Sequence, residues 1–259
     1  MIEVKDVGKA YGSYQALQGV NWHIEKGDWW GIIGPNGSGK STLIQLLSGV
    51  EKATGGRIAI HDVLVEAYPR KTLSRMLAVL QQDALPALPY SVREVLEMGR
   101  YPFQNWLGRD TRPDSDKLIE EIMLTLELKE LEHRSLDELS GGQRQRVALG
   151  KVMAQEPQIL LLDEPTTYLD IHYQMQFMEL VASWRRKSQI TVVSVLHDLN
   201  LAAQFCDELL VLREGKVAGQ GKPSQILTAG HIRQVYDVEP TIVAHPDSGV
   251  PQVLLSRSD

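Results

Sequence analysis

Short apolar runs separated by glycine-bearing polar stretches recur along this chain. Ile2–Val7, Val20–Ile24, Trp29–Ile33 and Arg57–Ile60 read as strands, punctuated by Gly12, Gly19, Gly27 and Gly55-Gly56. Met76–Leu80 reads as a further strand. Ser41–Val50 instead sets Leu43, Leu46 and Leu47 at helical spacing. From Ser91 to Leu131 the pattern becomes helical, interrupted by a polar, proline-containing loop near Arg109–Asp114. Ser91 with Glu94 three residues on predicts a capping box at the start of a helix over Val92–Met98. Strand patterning returns at Ile159–Leu162, Ile190–Leu196 and Glu208–Leu212. Strands alternating with helices predict an α/β fold. A helical subdomain over about 86–155 is expected inside a core made of about 1–85 and 156–259. No internal repeat or low-complexity tract occurs. The segment beyond about Thr228 carries no signal that tells regulation from packing.

Between the predicted strand Trp29–Ile33 and the predicted helix lies Gly34-Pro35-Asn36-Gly37-Ser38-Gly39-Lys40-Ser41-Thr42. Two glycines four residues apart, followed by Lys and Ser, match a phosphate-binding loop. Glycines let backbone N–H groups turn inward around one anion. Lys40 supplies a mobile positive charge for β/γ-phosphates, and Ser41 a hydroxyl for Mg²⁺. The helix N-terminus adds its partial positive charge. Gly34, Asn36, Gly37, Gly39, Lys40, Ser41 and Thr42 are therefore candidate ATP ligands. The run Ile159–Leu162 ends in Asp163-Glu164. Carboxylates at the tip of a buried strand fit the other half of a Mg²⁺–nucleotide site, with Asp163 on the metal and Glu164 on the attacking water.

Leu139-Ser140-Gly141-Gly142-Gln143 resembles the signature sequence of ABC-type ATPases without a mismatch. Its serine and glycines suit a capped helix start that offers N–H groups to a second anion. The resemblance covers essentially the whole chain. It implies a P-loop NTPase of the ABC type, whose core has an antiparallel β subdomain and an inserted helical subdomain. On the same resemblance Tyr11 stacks on adenine. Gln82, favoured over the neighbouring Gln81, reaches Mg²⁺ and the attacking water. Tyr168-Leu169-Asp170 is the D-loop at a dimer interface, and His197 contacts the γ-phosphate. Two copies are expected to pair head to tail, with Ser140, Gly141, Gly142 and Gln143 acting on the ATP of the partner copy.

Pro165-Thr166-Thr167-Tyr168-Leu169-Asp170-Ile171, Leu196-His197-Asp198-Leu199-Asn200-Leu201-Ala202-Ala203, Gly99-Arg100-Tyr101-Pro102 and the tail His245–Pro251 resemble one branch of that family, the ATPases of iron–siderophore, haem and cobalamin importers. That branch implies a transmembrane permease dimer as partner and, indirectly, an extracytoplasmic substrate-binding protein. Leu85, Leu88, Tyr90 and Trp106 are candidates either for a groove that receives a cytoplasmic permease helix or for the helical subdomain's own core.

Composition narrows the remaining classes. The 259 residues include 43% hydrophobic, enough for a real core. Lys+Arg 27 against Asp+Glu 33 gives a net charge of −6, and without a basic run nucleic acid is not an expected partner. The single cysteine, Cys206, excludes an internal disulfide framework and reads as a buried thiol. No apolar run approaches the ~20 residues that cross a bilayer, and Met1–Lys5 is no secretion signal. A cytoplasmic location at the membrane face, peripheral through the permease, is the expectation. One phosphate loop and no sustained heptads argue against translation-type and repair-type ABC ATPases. A phosphate-loop kinase would not need the Leu139–Gln143 sequence. The ATPase subunit of an exporter, or of an importer for another substrate, is the alternative.

Overall fold

The computed structural model describes every residue except 82–84, 87, 168 and 256–259. The chain forms two compact units, one from Met1–Tyr68 with the chain from Thr191 onward, the other from Pro69–Ile190. The first unit opens with β1 (Ile2–Tyr11), β2 (Tyr14–Ile24), β3 (Trp29–Ile33), α1 (Lys40–Leu47), β4 (Gly55–Ile60) and β5 (Val63–Leu64). The second holds α2 (Arg70–Met76), β6 (Leu77–Leu80), α3 (Val92–Met98), α4 (Ser115–Thr125), α5 (Gly141–Ala154), β7 (Ile159–Asp163) and α6 (Ile171–Ser188). The chain then completes the first unit with β8 (Thr191–Val195), α7 (Leu199–Phe205), β9 (Glu208–Arg213) and β10 (Lys216–Gly221). It ends with α8 (Pro223–Ile226), α9 (Ala229–Tyr236), β11 (Pro240–Ala244) and β12 (Pro251–Leu255).

In the first unit β1 pairs antiparallel with β2 and β4, and β4 with β5. Strand β3 runs parallel between β8 and β9, and β10 pairs antiparallel with β9. All five residues of β3 and all five of β8 are buried, the continuous apolar run expected of a strand covered on both faces. Within this core Trp29 Nε1 donates to Ser194 Oγ at 2.9 Å, so the buried indole N–H is satisfied. Cys206 is buried, with its Sγ 3.8 Å from the same Ser194 oxygen. In the second unit β6 runs parallel to β7. The capping box predicted at Ser91 and Glu94 is present at the start of α3.

Several boundaries differ from the sequence-based expectations. Strands β1 and β2 extend well beyond Ile2–Val7 and Val20–Ile24 and meet at Tyr11↔Tyr14 across Gly12. Register shifts between Val4 and Val7, and again on either side of Lys9, break the period-2 alternation, which hid the full length of both strands. Helix α1 starts at Lys40 and stops at Leu47 rather than Val50, because Gly49 turns the chain at φ 68°. Met76 ends α2 instead of opening a strand. Leu43, Leu46 and Leu47 all lie buried, as their spacing predicts.

Candidate functional site

In the first unit the loop Gly34–Gly39 joins β3 to α1. Gly34 has φ 146° and Gly39 φ 102°, and a Cβ there would fall 2.1 Å from the Leu212 carbonyl oxygen and 2.6 Å from that of Ala16. Backbone presses on both positions, so only glycine fits. Gly37 (φ 78°) differs, since a Cβ there would meet nothing within 4 Å. Asn36 and Gly37 are exposed, so this side of the loop is open. No side chain caps α1 at Gly39. The first N–H groups of a helix have no intrahelical carbonyl to bond, so this uncapped start suits an anion. Lys40, only 5% exposed, folds its ammonium back over the loop, donating to Gly34 O at 2.9 Å and Pro35 O at 3.0 Å. Ser41 is exposed and Thr42 half-buried on the first turn of α1.

Strand register carries His197 to the same edge. Ile32 pairs with Val195, and Leu196 N–H bonds Ile32 O at 3.2 Å beyond the end of β8. The chain after β8 thus leaves at the carboxyl end of the strand next to the one that delivers the loop, where ligands collect in open α/β sheets. His197 is exposed there, and Asp198 caps α7 by accepting from Asn200 and Leu201 N–H. Tyr11 is 44% exposed at the end of β1, with Lys9 Nζ 4.8 Å from its ring centroid. Tyr14 is exposed as well, and its hydroxyl donates to Gly37 O at 3.3 Å.

In the second unit Asp163 ends β7 half-buried, and Glu164 follows in a left-handed conformation, φ 52°. Thr167 lies against Glu164 through its N–H to Glu164 O (3.3 Å) and its hydroxyl to Glu164 Oε2 (3.5 Å). Gln145 Nε2, from α5, donates to Pro165 O at 2.8 Å, tying the signature helix to the segment after the acids. Ser140 is the cap of α5: Gln143 N–H bonds Ser140 Oγ at 3.3 Å and Gln143 Oε1 accepts from Ser140 N–H at 2.9 Å. Ser140 and Gly141 are exposed. A Cβ on Gly142 would come within 3.0 Å of the Tyr173 ring, and Tyr173 N–H in turn bonds the capping Asp170 Oδ1 at 3.0 Å. The structure therefore brings Ser140–Gln143, the Asp163-Glu164 segment and Asp170 together within this unit. Gln82 and Tyr168 lie outside the described residues.

This chain matches the model of the ABC transporter family over residues 17–167. The chain belongs to the ABC transporter family. It is an ATPase cassette of that family, 38% identical over 244 residues to the ferric enterobactin transport ATP-binding protein of Escherichia coli (strain K12), covering 94% of this chain and 90% of that one. It is 36% identical over 257 residues to the hemin import ATP-binding protein of Thermobifida fusca (strain YX), covering 99% and 89%. An uncharacterized ABC transporter ATP-binding protein of Bacillus subtilis (strain 168) is 37% identical over 254 residues, and there the chain spans 58% of the relative's length. Among solved structures the cassette resembles a chain of an ABC transporter in an inward-facing conformation, with a TM-score of 0.84 and 25% identity over 99% of this chain and 97% of that one. It also resembles a dimeric post-hydrolysis ATP-binding cassette bound to ADP and Pi, with a TM-score of 0.72 and 29% identity over 86% and 98%.

One residue that touches the cassette's site elements escaped the sequence reading of that site. Asn200 accepts from Val253 N–H at 2.7 Å and donates to Val253 O at 3.3 Å, tying the start of α7 to β12. That contact has no signal in a motif, because it joins a side chain to backbone far away in sequence. In the second unit Leu88, Tyr90 and Trp106 are exposed and Leu85 is half-buried, so the first three do not fill the unit's core.

Proposed function

We propose that this cassette hydrolyses ATP to power import of a ferric siderophore, haem or cobalamin through a membrane permease dimer. The observation that carries the nucleotide reading is the Gly34–Lys40 loop, with glycines pressed against backbone, an open face at Gly37 and an uncapped α1 start. Around it Lys40 grips the β/γ-phosphates, Gly34, Asn36, Gly37, Gly39, Ser41 and Thr42 line them, and Tyr11 stacks on adenine. In this reading Ser41, Asp163 and Gln82 would hold Mg²⁺; Ser41 lies exposed on the first turn of α1 and Asp163 half-buried at the end of β7. Mg²⁺ is commonly held by one or two protein oxygens, with phosphate oxygens and water completing its shell. When bound it neutralises charge on the transferring phosphate. Glu164 takes the proton of the attacking water, and His197 steadies the γ-phosphate.

Two copies pair head to tail, the exposed Ser140–Gln143 helix start and Asp170 of one meeting the nucleotide of the other. This pairing is supported by the dimeric ADP- and Pi-bound cassette that this chain resembles. The import direction and the substrate class rest on the named relatives, which serve ferric enterobactin and hemin over nearly the full length of this chain. No helix among the described residues is long and apolar enough to cross a membrane. In this reading, which rests on the import relatives, the cassette sits at the cytoplasmic face, held there by the permease, and reaches an extracytoplasmic binding protein only through it. The test is ATPase activity of the complex rebuilt with its permease in lipid, with binding proteins loaded in turn with ferric siderophore, haem or cobalamin. Strong stimulation by one loaded protein is the expected result. Turnover indifferent to all of them would overturn the substrate assignment.

A further inference from the structure

Of the five tryptophans in the chain, four are buried and Trp106 is 90% exposed. It stands with the exposed Leu107 in a turn of the second unit that is tied at several points. Asn105 N–H bonds Arg109 O at 2.9 Å, and Gly108 N–H bonds Asn105 O at 3.0 Å. Asn105 Oδ1 accepts from Leu107 N–H at 2.9 Å and from Arg109 N–H at 3.1 Å. Below the turn Gln104 bridges to Asp110, and the Thr111 hydroxyl donates to Phe103 O at 2.9 Å. Tyr101, close by in sequence, is exposed as well. An ordered turn that holds a large ring in water marks an interaction site.

Cations gather at the base of this turn. Helix α2 carries Arg70, Lys71 and Arg75 and no acid. Lys71 Nζ donates to Gln104 O, and Arg75 Nε to Pro102 O at 2.9 Å, which fastens α2 to the loop. Arg109 belongs to the turn itself. The one acid of the loop, Asp110, is answered at 2.8 Å by the buried Arg100, and Arg112 by Glu156 at 2.6 Å. Lys71, Arg75 and Arg109 are exposed, and none of them pairs with a carboxylate among the described residues. This positive surface stands in a chain whose net charge is −6, so it does not follow from overall composition.

Residues 105–109 are all exposed, so they form a tip and not a groove that could receive a helix. A protein pocket for this tip would have to meet its cations with acids in fixed places. The headgroup layer of a bilayer needs no such register. Indole and leucine side chains enter the boundary between headgroups and acyl chains, while long basic side chains reach lipid phosphates. We propose that the Trp106–Leu107 tip, with Lys71, Arg75 and Arg109 behind it, seats the second unit on an anionic lipid surface. The membrane setting rests on the reading given above, and the lipid contact is an addition to it.

The test is sedimentation of the full chain with vesicles of phosphatidylcholine, alone or mixed with phosphatidylglycerol. Binding to the mixed vesicles alone is expected, weakened by added salt. Tryptophan emission should shift to the blue on binding, because Trp106 is the indole that leaves water. Trp106→Ser should weaken binding about tenfold, and Lys71→Gln and Arg109→Gln about fivefold each. Melting temperature and lipid-free ATPase activity should stay at wild-type values in Trp106→Ser. Equal binding to both kinds of vesicle, binding to neither, or wild-type binding by Trp106→Ser would overturn the proposal. No vesicle binding, with a blue shift on adding detergent-solubilised permease, would overturn it in favour of a protein partner. Vesicle binding uses neither ATP nor permease, so its failure leaves the import reading standing. An unstimulated ATPase in the rebuilt complex would in turn leave the lipid contact standing.

Discussion

Two tyrosines stand at the turn between β1 and β2, and they differ in what holds them. Tyr14 is committed to the loop through its hydroxyl on Gly37 O, whereas Tyr11 has an open ring face with the Lys9 ammonium on one side. That ammonium is itself fixed by Glu51 Oε2 at 2.6 Å and Lys52 O at 2.8 Å. A ring that is 44% exposed and backed by a fixed cation can accept a base without reorganising its surroundings. Tyr11→Ala is therefore expected to weaken ATP binding by roughly 1–3 kcal/mol, the usual worth of a base–aromatic stack. ADP should lose the same amount, because the adenine is common to both. Calorimetric titration of the two nucleotides into wild type, Tyr11→Ala and Tyr14→Ala checks this. Full affinity in Tyr11→Ala with a loss in Tyr14→Ala would move the adenine to Tyr14.

At the scale of elements the second unit depends on how α3 is started. Its first two amides, Val92 and Arg93 N–H, bond Arg134 O and Glu132 O at 3.0 and 3.1 Å, so donors that a helix start leaves over are satisfied by the strap that follows α4. The same strap carries Glu132, which accepts from Lys129 at 2.8 Å and from Arg93, while Arg93 also reaches Glu120 on α4. The Lys129 hydrogen bond first, then that of Arg93, holds the Glu132 carboxyl at about 2, below its ordinary 4.5. A carboxyl depressed in the folded state stabilises that state above its unfolded pKa, and the contribution is lost as pH falls through the folded value. Glu132→Gln should therefore melt below wild type at neutral pH, and the gap should close as pH falls from 4.5 toward about 2. Thermal melts of both proteins across that range check it, and a gap that stays constant down to pH 2 would mean the carboxylate charge is not what matters.

The cap at Ser91 was readable because its partners are three residues apart, while the Glu132 strap was not, since its bonds join segments that only the fold brings together. The same distinction runs through the site. The phosphate loop and the Ser140 helix start are contiguous in sequence and could be read directly. Strand β1 could not be read in full, because Asp6 takes a left-handed φ of 49° in the stretch where register shifts break the alternation. The β11–β12 ribbon opens each strand with proline and buries only Val253, so it has almost no apolar face for a pattern to report.

For the whole molecule, the open face of the phosphate loop and the exposed Ser140–Gly141 helix start are surfaces that a second copy would cover. If ATP is the glue between two copies, the pair should persist for as long as the γ-phosphate does. In the proposed reading Glu164 acts in the step that ends it; the residue follows the strand-end Asp163, its backbone turned left-handed at φ 52° and in contact with Thr167. Glu164→Gln keeps the shape and removes the base, so turnover should fall about 10²- to 10⁴-fold while ATP affinity is retained. Light scattering on the Glu164→Gln protein is then expected to give the monomer mass without nucleotide or with ADP, and twice that mass with ATP and Mg²⁺. Near-normal turnover would place the general base at another residue. Slow turnover with a monomer mass in saturating ATP would separate hydrolysis from pairing, and would leave the permease, rather than the nucleotide, to hold the two copies together.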